Sequence, residues 1–197
     1  MRVVTGEAKG RKLKAPKTMG TRPIIDRVKT ALFDILSTEV EDARFLDLFG
    51  GTGSVGIEAL SRGAAHATFI EMNYKVLQLL RENLQITRLA DRAETLHGDA
   101  FKFLQSAQGR AYDIIYVAPP QYHEMAARAL QLLDGSPLVA PGGLVIVQIH
   151  PKERVGVTAV PCTHLRLEDE RRYGSTLLMF YRATTENPEH GDTVQET

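Results

Sequence analysis

The sequence predicts an α/β protein built on a mostly parallel sheet with helices on both faces. From Arg44 onward, strand-like pieces alternate with helix-like pieces. The strand-like pieces are apolar along nearly their whole length, as expected of parallel strands that are buried on both sides. In addition, a glycine-rich turn joins the first strand to its helix, which is typical of a doubly wound sheet with a ligand crevice.

The individual elements follow from apolar spacing and from turn residues. Strands are predicted at residues 45–48, 67–70, 94–97, 112–117 and 143–149. Helices are predicted between them at residues 55–61, 74–87, 100–105 and 125–133. Beyond Pro151 the pattern changes to strand-like pieces at residues 155–160, 164–167 and 176–181. We expect the last two pieces to form an antiparallel hairpin at the sheet edge.

Two further segments precede the repeats. After Asp26, which can cap a helix, apolar residues recur at helical spacing: Val28, Ala31, Leu32, Ile35 and Leu36. Residues 1–20 carry glycines and a proline between short basic pieces, which favours a hairpin or extended arm over a helix. We expect this arm to lie outside the main core.

The 197 residues fit one main domain with small appendages. We predict a basic N-terminal arm at 1–22, the main domain at 23–182 and a disordered acidic tail at 183–197. The lone Cys162 excludes an internal disulfide and a cysteine-based zinc cluster. No apolar run approaches the roughly 20 residues of a membrane span, and the N-terminus does not resemble a signal peptide. We therefore expect a cytoplasmic, monomeric protein that does not contact membranes.

Charge is unevenly distributed although the net charge is zero. Residues 1–29 contain nine basic and two acidic side chains. Such a cluster is typical of a surface that contacts a phosphate backbone. A solvated basic arm without a partner explains the charge equally well, so charge alone leaves both open.

The glycine-rich turn follows a carboxylate. Gly51, Gly53 and Gly56 match the dinucleotide fingerprint, in which a helix N-terminus binds a pyrophosphate. Asp47, however, stands at the strand end, and a like-charge pair at about 4 Å opposes binding by roughly 4 kcal/mol at an effective dielectric of 20. The same carboxylate attracts the ammonium and sulfonium of S-adenosylmethionine. This favours S-adenosylmethionine over NAD, while a third interpretation, glycines that only allow close helix–strand packing, stays open.

Other strand ends carry residues suited to the rest of that ligand. Glu71 can accept hydrogen bonds from both ribose hydroxyls, or it caps the following helix. Asp99 can accept from the adenine amino group while the Ala100 amide meets a ring nitrogen, or Asp99 is a simple N-cap. Pro119-Pro120 ends the fourth strand and fixes a carbonyl that can accept from an amine undergoing methylation.

Together these motifs resemble a class I S-adenosylmethionine-dependent methyltransferase with a Rossmann-like fold. The motifs are Asp47-x-Phe49-x-Gly51-x-Gly53, Glu71, Gly98-Asp99-Ala100 and the Pro-Pro turn. The flanking segments are similar to the RsmD-like family. These segments are Gly10-Arg11-Lys12-Leu13, Thr21-Arg22-Pro23, Asp26-Arg27-Val28, Ala31-Leu32-Phe33, Leu60-Ser61-Arg62-Gly63-Ala64 and Tyr173-Gly174-Ser175-Thr176. The resemblance covers residues 1–182.

The resemblance implies a seven-stranded sheet and methyl transfer to N2 of a guanine in bacterial 16S ribosomal RNA of the small subunit or its assembly intermediate. It assigns the S-adenosylmethionine site to Asp47, Phe49, Gly51, Gly53, Glu71, Met72, Asp99 and Ala100, with Arg22 and Pro23 closing over it. It also implies that the basic arm contacts RNA, through Arg2, Lys9, Arg11, Lys12, Lys14 and Lys17.

The catalytic turn departs from the family pattern of an Asp or Asn, two prolines and an aromatic residue. This chain has Ala118-Pro119-Pro120-Gln121. Gln121 or a neighbour supplies the missing acceptor and Tyr122 the stacking, or the Pro119 carbonyl acts alone at a reduced rate, or the protein binds cofactor and RNA without transferring methyl.

Overall fold

The computed structural model describes residues 1–16, 26–106, 110–121 and 124–184. The predicted acidic tail therefore lies almost wholly outside the described residues, as do Lys17, Arg22, Pro23 and Tyr122. In the described part, no helix is long and apolar enough to cross a membrane.

Seven strands form one sheet in the order β3-β2-β1-β4-β5-β7-β6. They are β1 Arg44–Asp47, β2 His66–Glu71, β3 Ala93–His97, β4 Tyr112–Val117, β5 Val139–Ile149, β6 Leu165–Tyr173 and β7 Thr176–Ala183. The first five strands are mutually parallel, whereas β7 pairs antiparallel with both β5 and β6. The predicted sheet and its edge hairpin are confirmed, and β7 reaches one residue into the predicted tail.

Six α-helices are described. They are α1 Asp26–Leu36, α2 Ser54–Ser61, α3 Tyr74–Thr87, α4 Ala100–Ser106, α5 Met125–Leu133 and α6 Arg154–Thr158. Short 3-10 turns occupy Ser37–Val40, Ala90–Arg92 and Pro151–Glu153. The first face of the sheet packs against α1, α2 and α3, and the second face packs against α4, α5 and α6. Alternate residues of each central strand supply the two cores, as the pleat requires.

The N-terminal arm, which folds back on itself at residues 1–13, is part of the core. Its two halves are held by a bridge between Arg2 and Lys12 and by a hydrogen bond from the Val3 amide to the Arg11 carbonyl (3.0 Å). Val3, Ala8 and Leu13 are buried in the core of the first face. The expectation that this segment lies outside the core is therefore wrong. Three apolar side chains among many basic ones are enough to dock the hairpin.

A buried ion pair accompanies this docking. Lys29 of α1 and Glu58 of α2 are both fully buried, with Nζ 3.3 Å from Oε2. Glu58 also accepts hydrogen bonds from the amides of Val4 (2.8 Å) and Thr5 (2.9 Å), and Lys29 donates to the Arg2 carbonyl (2.7 Å). Lys29, counted in the basic cluster, is thus a core residue.

Helix α1 is correct in extent, but one of its predicted inward positions is wrong. Phe33 and Lys29 face the core together with Val28, Leu32 and Leu36, while Ile35 is exposed. The apolar spacing placed Ile35 on the buried side of α1. That spacing cannot show that Lys29 occupies part of the buried side.

The strand predicted at residues 155–160 is a helix, α6. The His150 side chain accepts from the Lys152 amide (3.2 Å) and Glu153 accepts from the His150 amide (3.1 Å), which starts a helical turn directly after β5. Val157 is then buried against α5, while Val155 is exposed. End capping and packing outweigh the β-propensity of the valines.

Candidate active site

The carboxyl ends of the parallel strands form one edge of the sheet, which we call the mouth. Parallel pairing sets Asp47 opposite Phe69, and Glu71 opposite His97. Asp47, Glu71 and Asp99 consequently stand at or just beyond the ends of neighbouring strands. Ligand crevices of open α/β sheets lie at this edge.

The glycine turn combines two functions. Gly51 and Gly53 have φ values of +53° and +83°, a region that glycine adopts without strain. A Cβ on Gly56 would lie 2.3 Å from the Phe69 ring. Two glycines therefore shape the turn, whereas the third allows α2 to pack closely on β2, so the packing interpretation holds for Gly56.

Glu71 holds the glycine turn against β2. Its Oε2 accepts from the Gly51 amide (2.9 Å) and its Oε1 accepts from the Asn73 amide (2.6 Å). Asn73, and not Glu71, is the N-cap of α3. Glu71 remains half-buried. Met72, the next residue, is 68% exposed.

Asp47 lies beneath the turn. It is 2% exposed, and its Oδ2 accepts from the Gly56 amide at 3.3 Å. Burial raises the pKa of Asp47 to about 7; the Gly56 hydrogen bond opposes this rise and the Glu71 carboxylate adds to it. A cation placed above the turn would lower this pKa and favour the ionised carboxylate.

Asp99 directly precedes the first residue of α4. Its Oδ1 accepts from the Lys102 amide at 2.9 Å, so the N-cap interpretation is correct for that oxygen. Oδ2 makes no hydrogen bond to another described residue. Ala100 is buried, and Phe101 behind it packs edge-on against Phe49, with ring centroids 6.1 Å apart. Phe49 and Phe101 thus form an aromatic contact close to the mouth.

The Pro-Pro turn leaves β4 at the mouth. Ala118 is half-buried, Pro119 is buried, and Pro120 and Gln121 are exposed. The Gln121 side chain has no hydrogen-bond partner within the described ranges.

One polar pair at the mouth was not predicted from the sequence. The Tyr116 hydroxyl lies 2.6 Å from Oε1 of Gln148 on the neighbouring strand β5. The available signal was Gln148 itself, a single polar residue in the apolar run from Gly143 to Ile149.

The basic residues of the hairpin differ in how they are held. Arg2 lies 3.7 Å from Asp26, Lys14 pairs with Glu82 at 2.8 Å, and Arg11 donates to the Ile86 carbonyl. Lys9 and Lys12 are exposed and form no ion pair with any residue the structure describes. Their charge is available to a partner.

Asn83 of α3 joins this hairpin to the glycine turn. It is fully buried, accepts from the Lys14 amide (2.7 Å) and donates to the carbonyls of Lys14 (3.1 Å) and Thr52 (2.9 Å). The basic hairpin and the glycine turn are thus held together through one buried side chain.

Known proteins share this sequence and fold. The chain matches the family described as "Conserved hypothetical protein 95" over residues 1–182. It is 34% identical over 192 residues to ribosomal RNA small subunit methyltransferase D of Escherichia coli K12, covering 98% of this chain and 94% of the relative. The solved structure of Escherichia coli yhhF is 33% identical, with a TM-score of 0.81, and covers 94% of this chain and 99% of that one.

A more distant structure shares the fold. The RNA methyltransferase from Salinibacter ruber, solved with S-adenosyl-L-homocysteine, is 17% identical with a TM-score of 0.65 over 87% of this chain and 99% of its own. The full-length matches at about one-third identity decide the assignment. The chain therefore belongs to the RsmD family of class I, S-adenosylmethionine-dependent methyltransferases.

Proposed function

We propose that the protein transfers a methyl group from S-adenosylmethionine to the exocyclic N2 amine of a guanine in 16S ribosomal RNA of the small subunit. The name of the Escherichia coli relative supports small-subunit ribosomal RNA as the substrate. The observation that carries the proposal is the pair of carboxylates, Asp47 and Glu71, on either side of the glycine turn.

These residues fit the proposed cofactor. Glu71 would accept from the ribose hydroxyls, Oδ2 of Asp99 from the adenine amino group, and Met72 would cover the adenine ring. Asp47 and the turn at Gly51 and Gly53 would hold the cationic methionine part. Two carboxylates at this place disfavour the pyrophosphate of a dinucleotide.

The reaction requires little from side chains beyond position. When bound, the sulfonium supplies an electrophilic methyl carbon. The guanine N2 lone pair forms the new N–C bond as the S–C bond breaks, its electron pair staying on sulfur to give S-adenosylhomocysteine. The Pro119 carbonyl accepts one N–H of the amine, which favours the tetrahedral nitrogen. Water takes the proton that the methylated amine loses.

The hairpin would contact the RNA backbone. Lys9, Lys12 and the outer faces of Arg2 and Arg11 form a basic surface on the hairpin, and Asn83 joins the Lys14 end of this hairpin to the glycine turn at Thr52. Phosphate contacts of this kind supply affinity that falls with salt. Ala118 replaces the usual side-chain acceptor, so we expect a slower chemical step than in relatives that keep it.

The proposal is tested by incubating the protein with tritiated S-adenosylmethionine and undermethylated small subunits, then mapping the label. We expect one labelled guanine carrying N2-methyl. A Glu71→Ala variant should lose the label, whereas Glu82→Ala, which removes an exposed carboxylate from α3, should retain it.

Two results would contradict the proposal in different ways. Calorimetric binding of NADH in place of S-adenosylhomocysteine would point to a dinucleotide oxidoreductase. Binding of S-adenosylhomocysteine and RNA with no label on any nucleotide would point to a non-catalytic RNA-binding protein.

A further inference from the structure

A polar row crosses the first face of the sheet at the mouth. Asp47 on β1 is paired in register with Tyr116 on β4, and the Tyr116 hydroxyl meets Oε1 of Gln148 on β5. Tyr116 is 2% exposed and packs in the core of the first face. Gln148 is only half-buried.

Gln148 stands beside the catalytic turn. Val117 pairs with Val147, so the next residues, Ala118 and Gln148, lie level on adjacent strands. Val147 and Ile149 point into the core of the second face, which leaves Gln148 on the first face with Ala118. Adjacent strands are about 4.8 Å apart, close to the separation of O6 and N2 on the Watson–Crick edge of guanine.

The Tyr116 hydroxyl fixes the orientation of the Gln148 side chain. Burial raises the pKa of Tyr116 well above its ordinary value, so the phenol stays protonated and donates. Oε1 is the atom turned toward Tyr116, where it accepts from the hydroxyl and keeps a second lone pair. The Nε2 amide group donates to no other residue in the described ranges.

We propose that the Gln148 carboxamide reads the target base, with Oε1 accepting from N1–H and Nε2 donating to O6 of guanine. This assignment rests on the proposed function. A carboxamide complements these two neighbouring atoms, and the N2 amine at the third position of the same edge is left to the Pro119 carbonyl, in the turn that follows β4.

Tyr116 would make this reading selective. A free carboxamide can rotate by half a turn and pair equally well with the adenine pattern, an acceptor at N1 and a donor at N6. In the reversed pairing Nε2 would face the Tyr116 hydroxyl, and this buried O–H would lose its acceptor, Oε1, which costs free energy. Tyr116 is thus a positioning residue and Gln148 a specificity-determining residue.

The test compares guanine with 2,6-diaminopurine at the nucleotide that the wild-type protein labels. Both bases carry the N2 amine, but 2,6-diaminopurine presents the adenine pattern at N1 and C6. Each base is placed in the same synthetic RNA, and kcat/KM for methyl transfer is measured. A bidentate pair commonly discriminates by about 1–3 kcal/mol, so we expect the wild type to prefer guanine by about 10- to 100-fold.

Three variants separate the loss of base recognition from the loss of folding. Tyr116→Phe should keep guanine methylation within a few-fold and reduce the preference to below about fivefold. Gln148→Leu should lose both rate and preference. Tyr112→Phe, which removes a buried phenol from the same strand on the second face, should leave the preference unchanged. Affinity for S-adenosylhomocysteine should stay constant in all three.

An unchanged preference in both Tyr116→Phe and Gln148→Leu, with guanine still methylated, would overturn the inference and leave the proposed function standing. A wild-type protein that labels no guanine would overturn the proposed function and this inference with it.

Discussion

Asp47 occupies a buried position at which ionising its carboxylate costs free energy, but at which the ionised form can attract a bound cation. Its pKa of about 7 means that it holds a proton under mildly acidic conditions. A bound ammonium favours the ionised form, so binding of S-adenosylhomocysteine should release a proton below about pH 7. Affinity should therefore rise about 5- to 10-fold from pH 6 to pH 8 and level off above. Calorimetry in buffers of different ionisation enthalpy measures both the affinity and the proton.

The Asp47→Asn variant is the control for this effect. Its affinity for S-adenosylhomocysteine should be weaker at pH 8 and should change little between pH 6 and pH 8.

The pH dependence of protein stability provides a second check on the pKa of Asp47. Because the folded-state pKa is raised, the folded protein binds more protons than the unfolded chain between about pH 4 and 7, and the wild type loses stability as pH rises through that window. Asp47→Asn should not show this loss.

Ala118 is one of two residues, with Gln121, at which the catalytic turn departs from the family pattern. Restoring a side-chain acceptor by Ala118→Asp should raise kcat by about 10- to 100-fold, because one preorganised group at a reacting centre commonly contributes 100- to 1000-fold. Single-turnover methylation of small subunits measures this step. Ala118→Val adds bulk without an acceptor and should not raise the rate; equal gains in both variants would contradict the explanation.

At the level of elements, the buried pair Lys29–Glu58 fastens the hairpin and α1 to α2. Lys29→Met leaves Glu58 with its amide partners and Arg62 but without the buried cation, and should cost about 3 kcal/mol in urea unfolding. Lys14→Met, which removes an exposed partner of Glu82, should cost less than about 1 kcal/mol. Similar losses in the two variants would mean that the buried pair has no special role.

Most elements could be predicted because their patterns are local. The alternation of apolar strands and capped helices gave β1 to β5 and α1 to α5 to within a few residues. The two wrong predictions concern segments whose partners are distant in sequence. Helix α6 forms because Val157 packs on α5. The hairpin is buried because the Glu58 carboxylate accepts hydrogen bonds from two of its backbone amides. The residues that neighbour Val157 or Val4 in the sequence do not reveal these distant contacts.

At the scale of the whole molecule, the acids of the site were predictable and the Tyr116–Gln148 pair was not. Parallel connectivity places Asp47, Glu71 and Asp99 at one edge whatever the strand order. Which β5 residue stands level with Ala118 depends on the register of two strands separated by α5, and the sequence does not state that register.

The charge distribution makes a prediction at this scale too. Each phosphate contact with single-stranded nucleic acid contributes a salt slope of about 0.7, so Lys9→Gln/Lys12→Gln should reduce the slope of log affinity against log salt by about 1.4. Filter binding of the RNA at several salt concentrations measures it. Arg166→Gln on the edge strand β6, an equally exposed cation, should leave the slope unchanged; an equal reduction would mean that the hairpin is not the contact surface.

The position of β7 between β5 and β6 constrains how the chain assembles during synthesis. As the polypeptide leaves the ribosome, β1 to β5 can associate in turn, yet the edge of β5 stays unpaired and β6 has no neighbour. Both stay unpaired until β7, the next segment along the chain, pairs between them. The nascent protein therefore carries these two open strand edges until β7 has been made, which is the interval in which aggregation or chaperone capture would occur.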